Sequence, residues 1–120
     1  MRVKLGALVV GKDSFNKLFN EDSYPIAFKW QLMKLKKAID VELQQYEEQK
    51  FDLVKKYGVD DGKNNITVPP ENMGEFIPKI NELLGVEVDI RLTQIKLKDL
   101  EGGKLTAEDM THLEPFIQEN

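Results

Sequence analysis

Over the first ten positions apolar residues alternate with small or charged ones. Val3, Leu5, Ala7 and Val9 alternate with Arg2, Lys4 and Gly6. A period near two predicts a half-buried strand over about 1–10, ended by Gly11. Asp13 or Ser14 then caps a short helix that turns Phe15, Leu18 and Phe19 inward.

The period changes after Tyr24. Phe28, Leu32, Leu35, Ile39, Leu43, Tyr46, Leu53 and Tyr57 follow one another at helical steps, with Lys50 in the one position that breaks the series. The pattern predicts a single helix over 25–57, about 33 residues and about 50 Å long. Pro25 suits its first turn, Ser23 is a candidate cap and Gly58 a stop. Trp30, Met33, Val41, Phe51 and Val54 read as broadening this seam. Between Asp40 and Lys50 the helix is polar apart from the seam and Val41.

Past a polar loop at 59–65, residues 66–68 predict a very short strand and 71–84 a return helix carrying Met73, Phe76, Ile77, Ile80, Leu83 and Leu84. Pro78 predicts a kink there, or a helix that starts near Phe76. Val86, Val88, Ile90 and Leu92 alternate with charged residues, as do Ile95 and Leu97. The inward face switches between Leu92 and Ile95, which predicts a bulge or a bend between two strands. Thr106 and Asp109 have the spacing of a capping box for a last helix with Met110, Leu113, Phe116 and Ile117.

These elements predict an α+β fold: a long antiparallel helical hairpin packed with a small antiparallel β-sheet. The chain reads as a single domain over 1–120, with the hairpin at about 24–84 and the sheet built from about 1–10 and 86–98. The return helix is too short to cover the long one. Part of the seam is therefore expected to meet another chain, through Ile39, Leu43 and Tyr46 at mid-helix and Tyr57 near the tip.

Charge refines this picture. Residues 1–60 carry 11 basic and 9 acidic side chains, while residues 61–120 carry 6 and 12. The net charge of −4 argues against a nucleic-acid-binding surface over the whole chain. Lys29, Trp30, Lys36 and Lys37 form the one candidate basic-aromatic patch. Acidic residues Asp40, Glu42, Glu47 and Glu48 follow, so the helix has a basic and an acidic half, which suits antiparallel pairing of two copies.

Chemistry-bearing motifs are sparse. There is no cysteine and one histidine, His112, which is expected on the polar, exposed side of the last helix. Asp60, Asp61, Asn64 and Asn65 lack the spacing of a calcium loop. Asn65-Ile66-Thr67 matches a glycosylation acceptor, but nothing marks the chain for export. A Ser/His/Asp arrangement would have to join His112 to Ser14 or Ser23, neither of which lies in a nucleophile-elbow context. No catalytic residue, cofactor or metal is expected, and no apolar run is long enough to span a membrane.

Phe51-Asp52-Leu53-Val54-Lys55-Lys56-Tyr57-Gly58, then Phe76, Ile80-Asn81-Glu82-Leu83-Leu84 and Val86-Glu87-Val88, give the chain a recognisable layout. It resembles a family of small, functionally uncharacterised proteins from tailed bacteriophages, from which Pro78 departs. The resemblance implies a phage origin and supplies no catalytic residues. The expected function is thus non-enzymatic, through protein–protein contacts, as a virion component or assembly factor. The expected location is the cytoplasm of the bacterial host or the virion, and the expected partner another copy of the chain or a phage or host protein. The alternative is a small acidic inhibitor or regulator of a host nucleic-acid enzyme or defence system, using the acidic C-terminal half. Direct nucleic-acid binding through the basic patch is a third.

Overall fold

Strand β1 (Arg2–Lys4) is only three residues long and gives way at once to helix α1 (Leu5–Val10). The computed structural model describes residues 2–63, 65–90 and 95–118. The strand expected over the first ten residues is therefore corrected to a strand followed by a helix. Leu5 and Leu8, three residues apart, are the buried positions of α1, a helical spacing that the alternation concealed. Gly6 lets this helix come close to α4 (Pro70–Leu84), because an added Cβ would lie 3.1 Å from the Leu84 carbonyl oxygen.

Gly11 closes α1, its N–H donating to the Ala7 carbonyl at 3.0 Å, and opens α2 (Lys12–Phe19). No side chain caps α2, so neither Asp13 nor Ser14 has the capping role expected of it. The long helix α3 (Ile26–Tyr57) starts one residue after Pro25, also without a side-chain cap. Ser23 donates instead to the Gly102 carbonyl at 3.4 Å. Gly58 ends α3 because the chain doubles back tightly there. A Cβ at Gly58 would collide with the Val54 carbonyl and the Ile66 side chain.

Two-residue strands β2 (Val59–Asp60) and β3 (Ile66–Thr67) form a small antiparallel ribbon. Its acidic residues are turn-formers: Asp60 accepts from the Gly62 N–H at 2.9 Å and Asp61 from the Lys63 N–H at 2.7 Å. Gly62 takes a φ of 81° there, a value that favours glycine. Helix α4 then runs through Pro78 to Leu84, earlier in its start than the proline suggested. The carbonyl that Pro78 leaves without its helical partner belongs to Gly74. Both residues are exposed, so water can take the missing donor's place.

Strand β4 (Glu87–Asp89) pairs antiparallel with β1, Val88 opposite Val3. This is the expected joining of the N-terminus to the segment after α4. β5 (Ile95–Lys96) departs from the expected sheet, pairing in parallel with β6 (Ile117–Gln118) at the other end of the chain. The face switch expected between Leu92 and Ile95 lies outside the described residues. A 3₁₀ turn at Leu97–Leu100 leads to α5 (Ala107–Leu113), which carries the expected capping box in full.

Leu8, Phe15, Leu18, Ile39, Ile90, Leu113 and Phe116 are almost wholly buried and fill the centre. Phe15 meets the edge of Phe116 at 4.8 Å between ring centres and stacks on Phe19 at 5.8 Å, arrangements that aromatic pairs favour. Away from this centre the molecule thins. Tyr57 meets Phe76 at 6.3 Å, Asn72 donates to the Tyr57 carbonyl at 2.8 Å, and no residue of α4 is fully buried. The result is elongated, 49 × 28 × 24 Å, with a radius of gyration of 17.2 Å against about 14 Å for a compact chain of this length. No helix among the described residues is long and apolar enough to cross a membrane.

Candidate functional site

The residues expected to meet another chain point inward. Ile39 is 1% and Tyr46 4% exposed, and both belong to the central core. Leu43 is half-buried against that core, and Tyr57 half-buried beside Phe76. The mid-helix seam is thus covered within one chain, which corrects the expectation that it awaits a partner. The physical reason is α1. It packs against both α3 and α4 and adds cover that the short return helix alone does not give.

The opposite side of α3 is another matter. At 3.6 residues per turn, Ile26, Trp30, Val41 and Phe51 fall within about 80° of one another, facing away from the buried seam. All four are exposed, at 85%, 58%, 54% and 56%. They do not broaden the seam but form a second apolar stripe on the helix's back. Lys34 lies over the Trp30 ring at 5.6 Å and Lys55 over the Phe51 ring at 5.2 Å, each covering an aromatic face with its cation. Lys37 and Glu48 sit among the stripe residues by the same periodicity, with Asp52 on its flank.

The candidate basic patch divides along the same lines. Trp30 and Lys37 belong to the back of α3. Lys29 and Lys36 belong to a flank, where they line a hollow of about 310 Å³ with Phe19, Leu32 and Met33. Lys36 is neutralised by Asp40 one turn on, at 2.7 Å. The four residues do not converge on one surface, as continuous contact with a phosphate backbone would require.

A polar cluster between α2 and α5 is the second candidate. Ser14, almost wholly buried, donates to Asp109 Oδ1 at 2.7 Å. Asp109 Oδ2 accepts from Lys17 Nζ at 3.1 Å and from the Thr106 N–H at 3.0 Å. The Asp109 N–H donates in turn to Thr106 Oγ1 at 3.1 Å. The Thr106 N–H foremost, then the Ser14 hydroxyl and the Lys17 ammonium, hold the Asp109 carboxyl well below the usual carboxylate range. His112 Nδ1 is 3.3 Å from Ser14 Oγ, so this histidine is half-buried beside α2 and not on an open polar side.

Serine, histidine and aspartate are therefore together, but in the wrong order for nucleophilic catalysis. In a relay the serine gives its proton toward histidine, and the carboxylate orients the far side of that ring. Here the serine proton is committed to the carboxylate. Ser14 Oγ can then only accept from His112, and the hydroxyl has almost no surface from which to attack. The chemistry this arrangement performs is to tie α2 to α5. The sequence offered half of it, the capping box, while Ser14 is 95 residues from Asp109. Among the described residues no group of three or more His, Asp or Glu side chains gathers as a metal site would need.

No protein-family model, curated protein or solved structure matches this chain.

Proposed function

We propose that this chain is a non-enzymatic bacteriophage protein that works through protein–protein contacts, as a virion component or assembly factor in the cytoplasm of an infected bacterium. The helical hairpin of α3 and α4 is its working part, carried by the small α/β base. One observation carries the reading: the uncovered apolar stripe Ile26, Trp30, Val41 and Phe51 on the outer side of α3. Exposed apolar residues scattered singly are ordinary, but four aligned on one helix face are the mark of a contact surface. The phage assignment rests on the resemblance carried by 51–58 and 76–88. The reading thus keeps the contact function expected from the sequence and moves it to the other side of the same helix.

The test places a photo-crosslinking amino acid at Val41 and illuminates cells during infection. A discrete protein adduct, abolished by Phe51→Glu on the same face, is the expected result. No adduct above that of a label placed at exposed Glu108 would overturn the reading.

A further inference from the structure

Helix α3 has 32 residues and so runs about 48 Å, close to the full 49 Å length of the molecule. Ile26, Trp30, Lys37, Val41, Glu48 and Phe51 along its back are all exposed, and the pattern among them bears on what fits there. The stripe carries both signs of charge. Lys34 and Lys37 lie toward its start, Glu48 and Asp52 toward its end, and Lys55 follows. A partner of uniform charge, whether an acidic protein, an anionic lipid surface or a nucleic acid, would attract one half and repel the other.

The same pattern is complementary to itself when reversed. Turning a second α3 about a two-fold axis near Glu42 and Leu43 sets Lys37 opposite Glu48 and brings Asp52 to one position from the residue facing Lys34. It sets Lys55 opposite Trp30 and Lys34 beside Phe51. Each lysine that covers an aromatic ring in its own chain would meet the other aromatic ring in the partner. Every such pair occurs twice, as a two-fold contact demands. Val41 falls near the axis, with Gln44 across from it. The parallel alternative sets Lys37 on Lys37 and Glu48 on Glu48, which like-charge repulsion disfavours.

We infer that the back of α3 is closed by a second copy of this chain, the two helices antiparallel and centred near Glu42 and Leu43, with Lys37 paired to Glu48 of the other copy. The inference rests on the contact reading above and names its partner.

The full chain is studied by sedimentation and light scattering across a wide range of concentration. The mass should pass from one chain to two. Trp30, the only tryptophan, should shift its emission to shorter wavelength over the same range as its ring leaves water. Lys37→Glu and Glu48→Lys should each weaken association about tenfold, since each reverses two symmetric pairs. The Lys37→Glu/Glu48→Lys double variant should restore it. All of these positions are exposed, so melting temperature at low concentration checks that the fold is intact. A mass of one chain at every concentration overturns the inference, as does a dimer whose double variant is no tighter than the singles. The outcome at Val41 during infection separates the two readings. An adduct to a different protein alone overturns the second-copy inference and leaves the contact function standing, whereas no adduct overturns both.

Discussion

The Ser14 hydroxyl donates to the Asp109 carboxylate at 2.7 Å and joins two helices that lie 95 residues apart in sequence. Because the carboxylate also orders the first turn of α5 through Thr106, one side chain serves both a helix cap and a tertiary tie. Removing the hydroxyl by Ser14→Ala should destabilise the chain by about 1.5–3 kcal/mol, the range for a hydrogen bond to a charged group. Chemical denaturation measures it. A cost near zero would mean that α2 and α5 are held by Phe15, Leu18, Leu113 and Phe116 alone.

The same carboxylate makes stability pH-dependent. Its bonds to Thr106, Ser14 and Lys17 depress its pKa in the folded chain from an ordinary 3.8. A depressed carboxylate contributes stability that is fully present above the unfolded value and is lost as pH falls toward the folded one. The melting temperature of the native chain should therefore drop below about pH 4. Asp109→Asn should melt lower at neutral pH and show a shallower acid decline. An identical acid decline in both proteins would assign it to other carboxylates.

Tyr24 and Gly103 constrain each other in a different way. The Tyr24 ring is buried and meets Phe28 at 5.0 Å, yet its hydroxyl has no hydrogen-bond partner among the described residues. That hydroxyl occupies the space a Cβ at Gly103 would need. Gly103→Ala should cost about 1–3 kcal/mol through overpacking. Tyr24→Phe should be neutral or stabilising by up to about 1 kcal/mol, because it removes an unpaired polar atom from the interior. Combined, the two should cost less than their sum, and a double-mutant cycle reads that coupling directly.

Local rules made several elements legible in the sequence. The span of α3, the stop at Gly58 and the capping box at Thr106 and Asp109 follow from residue type and spacing, and the pairing of β1 with the segment after α4 from the lack of a nearer partner strand. What failed depended on distant partners. The alternation over residues 3–9 reads as a strand, and no capping side chain or first-turn acid marks the helix. The choice is made by packing, with Gly6 against Leu84 and Leu8 in the core. The expectation at Ile39 and Tyr46 came from counting the short return helix as the cover for α3, whereas α1 packs against α3 as well. The Ser14–Asp109 tie was illegible for the same reason, since no local pattern links residues so far apart.

Ile39 and Val41 are two residues apart on α3 and face different surroundings. Ile39 is 1% exposed in the core and Val41 54% exposed on the back of the helix. Ile39→Ala should cost about 2–5 kcal/mol, because it leaves a cavity among side chains that cannot all close around it. Val41→Ala should change the stability of the single chain by no more than about 0.5 kcal/mol. Association should respond in the opposite sense. Val41→Glu places a charge beside its symmetry copy near the two-fold axis and should abolish the dimer while leaving the melting temperature of dilute protein almost unchanged. Denaturation of dilute protein and sedimentation of concentrated protein, run on the same variants, therefore read the two faces of one helix separately. If Val41→Glu lowered stability as much as Ile39→Ala, the back of α3 would be packed inside the chain and could not be a contact face.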